Sequence, residues 1–550
     1  MQHTELRNQM QALLVHFQHL HRLSGSADAE LAVDWLIAQL QQAGLKPQRL
    51  RCELLLSDPG MASLTLSDFP HWQPAVKIRS FAGDCPQGVQ APLYHDVDSL
   101  QHLSERERTR WQKSVRGRIV IADQGFEDYV QHLNAAGAAG LIHIWGSAEL
   151  ALHEETVGPI WGTPVPDDEV RYPGLPVVTV NQADGQQLLK YYQQKTGLQA
   201  HLRTRLHNHV ASCSLPIVDI PGKEQEFVLL SSHYDSWHQG VTDNATGNAL
   251  CLAIAQWAIS QHKGLRRGLR IAWWPGHSNA RYGGSAWYAD RYRESLQQHC
   301  VAHINVDSPG CQDAIQILVN TSGAESVDFL NQTVRKVSGS AIRRLVPLGK
   351  GADQSFWGCG IPLHFALREQ PEIKTSQSPG SGGGWWWHTE EDTLDKVDMD
   401  ILWRDTCIHI GWLSHLLNEQ NLPLDPAAYL HQLQNELKKL QNDLDEAFDL
   451  TAIALKLRQT HQRLLQGKIT EKARRTAVGF WHRARYSSCD DFHYDLSWHG
   501  GAFPGLQQLA GHRRPDTSPA FFLMLTTQYY RQRDRILSLL ESALRSLDID

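Results

Sequence analysis

The sequence predicts an α/β fold: a mixed sheet flanked by helices, interrupted by a smaller α/β unit and followed by a C-terminal helical region. Three observations carry this. Between about 211 and 422, short apolar runs alternate with helical patterns, as in a sheet covered by helices. Residues 75–210 hold a separate set of strand and helix signals. From Asp425-Pro426 onward strand signals stop, with Asp as a helix cap and Pro in the first turn. The expected divisions are 1–74 and 211–424 for the main domain, 75–210 for the insert and 425–550 for the helical tail.

The elements follow in order. Leu6, Met10, Leu13, Leu14, Phe17 and Leu20 share one helix face, and Ser24-Gly25-Ser26 ends it. Val33, Leu36, Ile37 and Leu40 mark a second helix, stopped by Gly44. Leu50 to Leu66 reads as strand. In the insert, Gly117–Ala122, Gly140–Ile144 and Leu175–Val180 read as strands and His132–Ala139 as helix, with Asp184-Gly185 closing the unit. No ligand motif stands out there; His143, His153 and His207 to His209 read as surface or packing residues. In the tail, Leu430, Leu433, Leu437, Leu440 and Leu444 alternate spacings of three and four, an a/d seam. It is read first as packing inside a bundle and second as an intermolecular contact. A homodimer touching through the C-terminal helices is the expected assembly. Phe521 to Leu547 gives a last amphipathic helix, and Tyr486 to Gly505 is loop-like and rich in Trp, His and Asp.

With 550 residues, 41% hydrophobic and 20% charged, the chain has a globular composition and room for several cores. A net charge of -7 gives no reason to expect nucleic acid or an anionic membrane as partner. No apolar run approaches the ~20 residues that span a bilayer. Met1 to Gln11 is polar, so a cytoplasmic location is expected. Nine Cys, an odd number without a Cys-x-x-Cys, imply free thiols. Eighteen Trp is high; Trp237, Trp273, Trp274, Trp357 and Trp385 to Trp387 suggest an aromatic-walled pocket.

The chemistry concentrates at strand ends. Phe227-Val228-Leu229-Leu230 is a buried strand, followed by His233-Tyr234-Asp235 and Gly240-Val241-Thr242-Asp243-Asn244. Leu250, Ile254, Trp257 and Ala258 then mark a helix. A second strand, Val301 to Val306, ends at Asp307. A Ser- and Gly-rich loop, Thr375 to Gly384, leads to Trp387-His388-Thr389 and is expected to lie over the site. Two His and two Asp in such places suit a borderline divalent metal such as zinc.

His233-x-Asp235, Asp243-Asn244, Asn305-x-Asp307 and His388-Thr389-x-x-Asp392-Thr393 together resemble the metal-site motifs of the M28 zinc aminopeptidases. The resemblance implies a zinc-exopeptidase-like sheet. It implies that Asp243 bridges two zinc ions, that His233 and His388 complete one site, and that Asp307 belongs to the other. Asp235 would hydrogen-bond the ring of His233. Gly351 to Phe356 and Gly360-Ile361-Pro362 resemble a segment near the substrate pocket, which makes Asp353 a substrate-binding candidate. Residues 75–210 resemble a protease-associated domain, and the N-terminal helix pair resembles the opening of the family's catalytic domain.

The sequence departs from the family at one place. The family carries a Glu-Glu pair, general base and ligand, before a Gly-Ser helix start. Here Pro275 to Gly283 contains no carboxylate before Gly284-Ser285. His277 and Ser278, or Ser278 and Asn279, stand where the pair would. His277 is a candidate ligand, a candidate base, or neither. Arg281 and Tyr282 could grip a carboxylate or stabilise an oxyanion. Glu390 and Glu391 are further candidates for the base. The expected function is a metal-dependent hydrolase cutting an amide of a peptide or small peptide-like substrate, with one or two zinc ions and altered base chemistry. The alternative is an inactive relative that binds metal or peptide.

Overall fold

Two long antiparallel strands, Gln48–Leu66 and Gln199–Ile220, run side by side and tie both α/β units together in the computed structural model. The structure describes residues 2–97, 100, 103–376, 378–467, 469–497 and 501–548. Pairing runs from Gln48 opposite Ile217 to Leu66 opposite Ala200. The division expected at 210 therefore falls inside a continuous strand, which serves the main sheet at one end and the insert at the other.

The main sheet runs Arg344–Pro347, Gln316–Thr321, His364–Gln370, Cys300–Asn305, Phe227–His233, Gly268–Trp274, Gln199–Ile220. Its centre is parallel: Phe227–His233 lies between Gly268–Trp274 and Cys300–Asn305. Antiparallel strands flank it, Gln199–Ile220 on one side and Gln316–Thr321 beyond His364–Gln370 on the other. All seven residues of Phe227–His233 are buried, as a strand covered on both faces requires. Leu13, Phe17, Leu36 and Leu40 pack with Leu250 and Ile254 over one face. The parallel strands end together, so His233 and the residues after Asn305 reach the same edge, where open α/β sheets bind ligands.

In the insert, Cys85–His95, Ile119–Ala122, Gly140–Ile144 and Val177–Val180 extend the sheet. The helix read from sequence as His132–Ala139 is Glu127–Ala136, ending earlier because Gly137 (φ 78°) caps it. Asp184-Gly185 lies inside the helix Gln182–Gln194 rather than closing the unit; the Asn181 side chain accepts the Asp184 N–H and starts that helix.

The tail is a bundle of Pro426–Asp443, Thr451–Leu465, Glu471–Tyr486 and Pro519–Ser546, and Asp425 caps the first by accepting the Ala428 N–H at 2.9 Å. Leu430, Leu433, Leu437, Leu440 and Leu444 are buried against Ile453, Leu457, Trp481, Ile536 and Leu540 of the same chain. The seam's apolar face is thus covered by the chain's own helices, the first of the two readings. All nine cysteines are free thiols. Among the described residues no helix is long and apolar enough to cross a membrane.

Candidate metal centre and substrate cavity

The strand Phe227–His233 delivers His233 to the sheet edge, and the chain returns through Gly240 into the helix Thr246–Gln261. Gly240 has φ 47°, and a Cβ there would sit 2.3 Å from the Asp243 carbonyl oxygen, so the turn requires glycine. Asp392 fixes the loop: one carboxylate oxygen accepts the Thr242 N–H and hydroxyl at 2.8 Å each, the other the Asp243 N–H at 2.9 Å. The Asn244 side chain donates to the Val306 carbonyl and accepts the Ser308 N–H, which sets Asp307 beside Asp243.

The four predicted ligands converge. His233 Nε2 lies 3.1 Å from Asp243 Oδ1 and 3.7 Å from Asp307 Oδ1; His388 Nε2 lies 3.0 Å from Asp243 Oδ2. The pairing implied by resemblance is corrected here. His233 stands with Asp307, and His388 stands on the opposite oxygen of Asp243, because the two parallel strands end side by side while His388 arrives from a loop across the cavity. Asp243 is the residue shared between them. His233 Nε2 and Asp243 Oδ1 are buried and neither makes an acceptable hydrogen bond, so lone pairs face each other with nothing between them. That arrangement fits a bound cation better than a hydrogen-bonded core.

Asp235 holds the His233 ring as expected, through its backbone carbonyl. His233 Nδ1 donates to the Asp235 backbone carbonyl at 2.9 Å, which fixes the tautomer and leaves Nε2 facing Asp243. The Asp235 carboxylate is 3.5 Å from that ring and accepts the N–H groups of His277 and Ser278 at 3.3 and 3.0 Å. It holds the loop from Pro275 to Gly283, which carries no carboxylate of its own.

Within that loop His277 faces the centre. Its ring stacks on His233 at 3.7 Å and 8°, and one ring nitrogen stands with donor atoms of His233 and Asp307, all mutually within 4.8 Å. His277 Nδ1 is 2.9 Å from Asp353 Oδ2, which leaves Nε2 for the cavity. Asp353 is fully buried and also accepts the Ser285 hydroxyl at 2.7 Å. It therefore positions His277 and does not bind substrate directly, a correction forced by its burial. Asn279 turns away to Asp58 and the Ser24 carbonyl.

Arg281 and Tyr282 line the cavity, but the Arg281 guanidinium is ion-paired with Glu127 of the insert and lies 3.8 Å from Glu155. It is already neutralised, so it is not the free grip for a carboxylate that was expected. Glu390 pairs with Lys77 at the surface and Glu391 is exposed, so neither serves the centre. Of the tryptophans expected to wall the pocket, Trp387 does so; Trp273 and Trp274 are core residues of the central strand.

The insert supplies what sequence reading missed. Glu154 N–H donates to the His388 carbonyl at 2.9 Å, and His388 Nδ1 donates back to the Glu154 carbonyl at 2.9 Å. The Glu155 carboxylate lies 3.5 Å from the same Nδ1 and faces the cavity. His153 stacks on His388, ring centroids 5.4 Å apart. The available signal was His153-Glu154-Glu155, a ligand-type triplet in a segment otherwise free of ligand motifs. His143 is buried against Arg79, a packing role as expected.

A profile of the Peptidase family M28 matches residues 217–410, from the shared strand to the helix Met399–Asn418. Residues 217–410 form an M28 peptidase domain. Mouse (Mus musculus) carboxypeptidase Q is 23% identical over 360 residues, covering 62% of this chain and 73% of that protein. A peptidase M28 precursor from Shewanella amazonensis shares the fold at TM-score 0.59 and 17% identity, covering 77% of this chain and 97% of its own. A zinc aminopeptidase from Bacillus subtilis does so at TM-score 0.55 and 18% identity, over 76% and 97%. The M28 domain here thus carries the mixed sheet of zinc aminopeptidase structures, and the insert packs onto the edge where the M28 domain holds its polar residues.

Proposed function

We propose that this protein is a zinc-dependent hydrolase of an amide bond in a peptide or small peptide-like substrate, in which a His277–Asp353 pair takes the place of the family's carboxylate base. The observation that carries this is the 2.9 Å contact of His277 Nδ1 with fully buried Asp353, beside His233 and Asp307. His233, Asp243 and Asp307 would hold one ion, and Asp243 with His388 a second. When bound, zinc polarises a carbonyl and acidifies water. Asp353 accepts from Nδ1 and orients the ring; His277 Nε2 then accepts a proton in the cavity and returns it to the leaving amine. Tyr282 and Trp387 form walls that exclude water from the cavity.

The test is turnover of aminoacyl amides and dipeptides by zinc-loaded protein, for the parent, His277→Ala and Asp353→Asn. Base assistance is worth ~10²–10⁴ in rate, so His277→Ala should lose that much in kcat and Asp353→Asn a smaller share. Zinc content should stay at the parent's level in both. Turnover unchanged in His277→Ala removes the pair from the mechanism. Zinc binding without turnover of any substrate by the parent favours the inactive, metal-binding reading.

A further inference from the structure

We propose that Arg368 anchors a carboxylate of the substrate, so that the cavity selects peptides presenting a free C-terminal carboxylate or an acidic side chain there. This rests on reading the cavity as an amide-hydrolysing site. The cavity, about 240 Å³, is bounded by the metal-facing residues on one side and by the strands Gln316–Thr321 and His364–Gln370 on the other. Three permanent cations line it: Arg281, Lys350 and Arg368. Arg281 is ion-paired with Glu127, and Lys350 is bonded to Asp495 and the Tyr486 carbonyl. Arg368 alone of the three has no carboxylate partner among the described residues; its guanidinium reaches only the Pro379 carbonyl, in the loop that closes over the cavity.

Burial lowers the Arg368 pKa, with nearby Asp307 opposing and Arg344 adding to the effect. Arg368 is part-buried, and a guanidinium partly withdrawn from water is stabilised by an anion that pairs with it. Asn320 sits in register with Ala366, two residues from Arg368 and therefore on the same face. Its side-chain NH2, like that of Gln354 on the same wall, is a donor of the kind a carboxylate accepts from. One planar fork and two side-chain amides around an opening suit a carboxylate, which takes an Arg fork in bidentate fashion. The Asp307 side of the cavity is where such a group would be held, next to the centre and away from the neutralised Arg281.

The experiment measures binding to the full-length protein by calorimetry, with two matched pairs of probes. Ala-Ala against Ala-Ala-amide tests the C-terminal carboxylate. Ala-Glu-amide against Ala-Gln-amide tests the acidic side chain. In one pair the carboxylate member should bind the parent about 10- to 100-fold more tightly, the range of charge-assisted hydrogen bonds. Arg368→Gln should bring that ratio near one with little change for the neutral member, and Arg368→Lys should keep part of it. Equal binding within both pairs, failure of all four probes to bind, or a preference that survives Arg368→Gln overturns the proposal. The parent comparison needs no variant, so poor folding of Arg368→Gln leaves it decisive. Turnover measured in parallel separates the two readings. A carboxylate preference without cleavage upholds the anchor and removes the hydrolase; cleavage of neutral and acidic probes alike does the reverse.

Discussion

The molecule buries titratable groups in two places and treats them in opposite ways. At the sheet edge neighbours of opposite sign work against burial. Burial would raise the Asp243 carboxyl, yet the His233 and His388 rings beside it hold it well below its ordinary value. Burial would lower the His388 imidazole, yet Glu155 and Asp243 push it up to about 9. At the joint between the sheet and the C-terminal bundle burial prevails over the neighbours. Burial pushes Glu325 up to about 7, and burial together with His364 keeps His482 well below the ordinary range. His482 has both ring nitrogens occupied, one by the Tyr429 hydroxyl at 2.8 Å and one by the Pro362 carbonyl at 2.9 Å. His233 has only Nδ1 satisfied, and its Nε2 faces carboxylates. Histidine thus faces carboxylates in one place and is closed off by a hydroxyl and a carbonyl in the other. What separates them is whether the neighbours complete the hydrogen bonding of the neutral form.

The largest expected effect tests that distinction directly. Asp243 offers one oxygen to His233 and the other to His388, so Asp243→Ala should remove all bound zinc from protein purified without chelator. Glu325→Gln should remove none. Elemental analysis by mass spectrometry decides it: parental zinc in folded Asp243→Ala would mean that the open atoms at the edge are not ligands.

The joint makes the second prediction. The folded pKa of Glu325 is raised from its ordinary 4.5 to about 7, so the protonated form is what the fold favours. Its contribution is complete below pH ~4.5 and lost as pH rises through ~7, a change of about 3 kcal/mol. His482, depressed in the fold, acts in the other direction: its contribution is present above ~6.5 and lost as pH falls. The clean measurement is therefore a difference. Relative to Glu325→Gln, the parent should lose denaturant stability between pH 4.5 and 7. A flat difference across that window would show that Glu325 is charged and paired after all.

The sequence made one of these regions far more legible than the other. His233, Asp243, Asp307 and His388 were readable because each stands at the end of an apolar run or a glycine-rich loop, and strand ends are local signals. The His277–Asp353 contact spans 76 residues and depends on two loops meeting above the sheet, so sequence yielded the residues but not their pairing. Asp353 and Arg281 were both read as substrate-facing; their real partners, Ser285 and Glu127, come from a helix start and from the insert. The seam from Leu430 to Leu444 was legible as an apolar stripe, but a stripe does not say which helix covers it. Glu325 and His482 carried no signal at all, since a buried neutral Glu looks like any other Glu until its neighbours are known.

The insert decides where the charged centre ends. His388 and Glu154 exchange hydrogen bonds across 234 residues, and Glu155 adds a buried carboxylate beside the same ring. If Glu155 is part of the centre, it strengthens His388 as a ligand by stabilising positive charge on the ring side away from Asp243. Outer partners of this kind are typically worth ~10–100-fold in metal affinity. Glu155→Gln should therefore weaken zinc binding by about that factor, with the melting temperature close to the parent's. The backbone carbonyl of Glu154 is untouched by the substitution and still fixes the tautomer, so any loss reports the Glu155 carboxylate itself. Glu390→Gln, next to His388 in sequence but exposed, should leave zinc affinity unchanged. Equal affinity in the parent and Glu155→Gln would confine the centre to the M28 domain and reduce the insert to a wall.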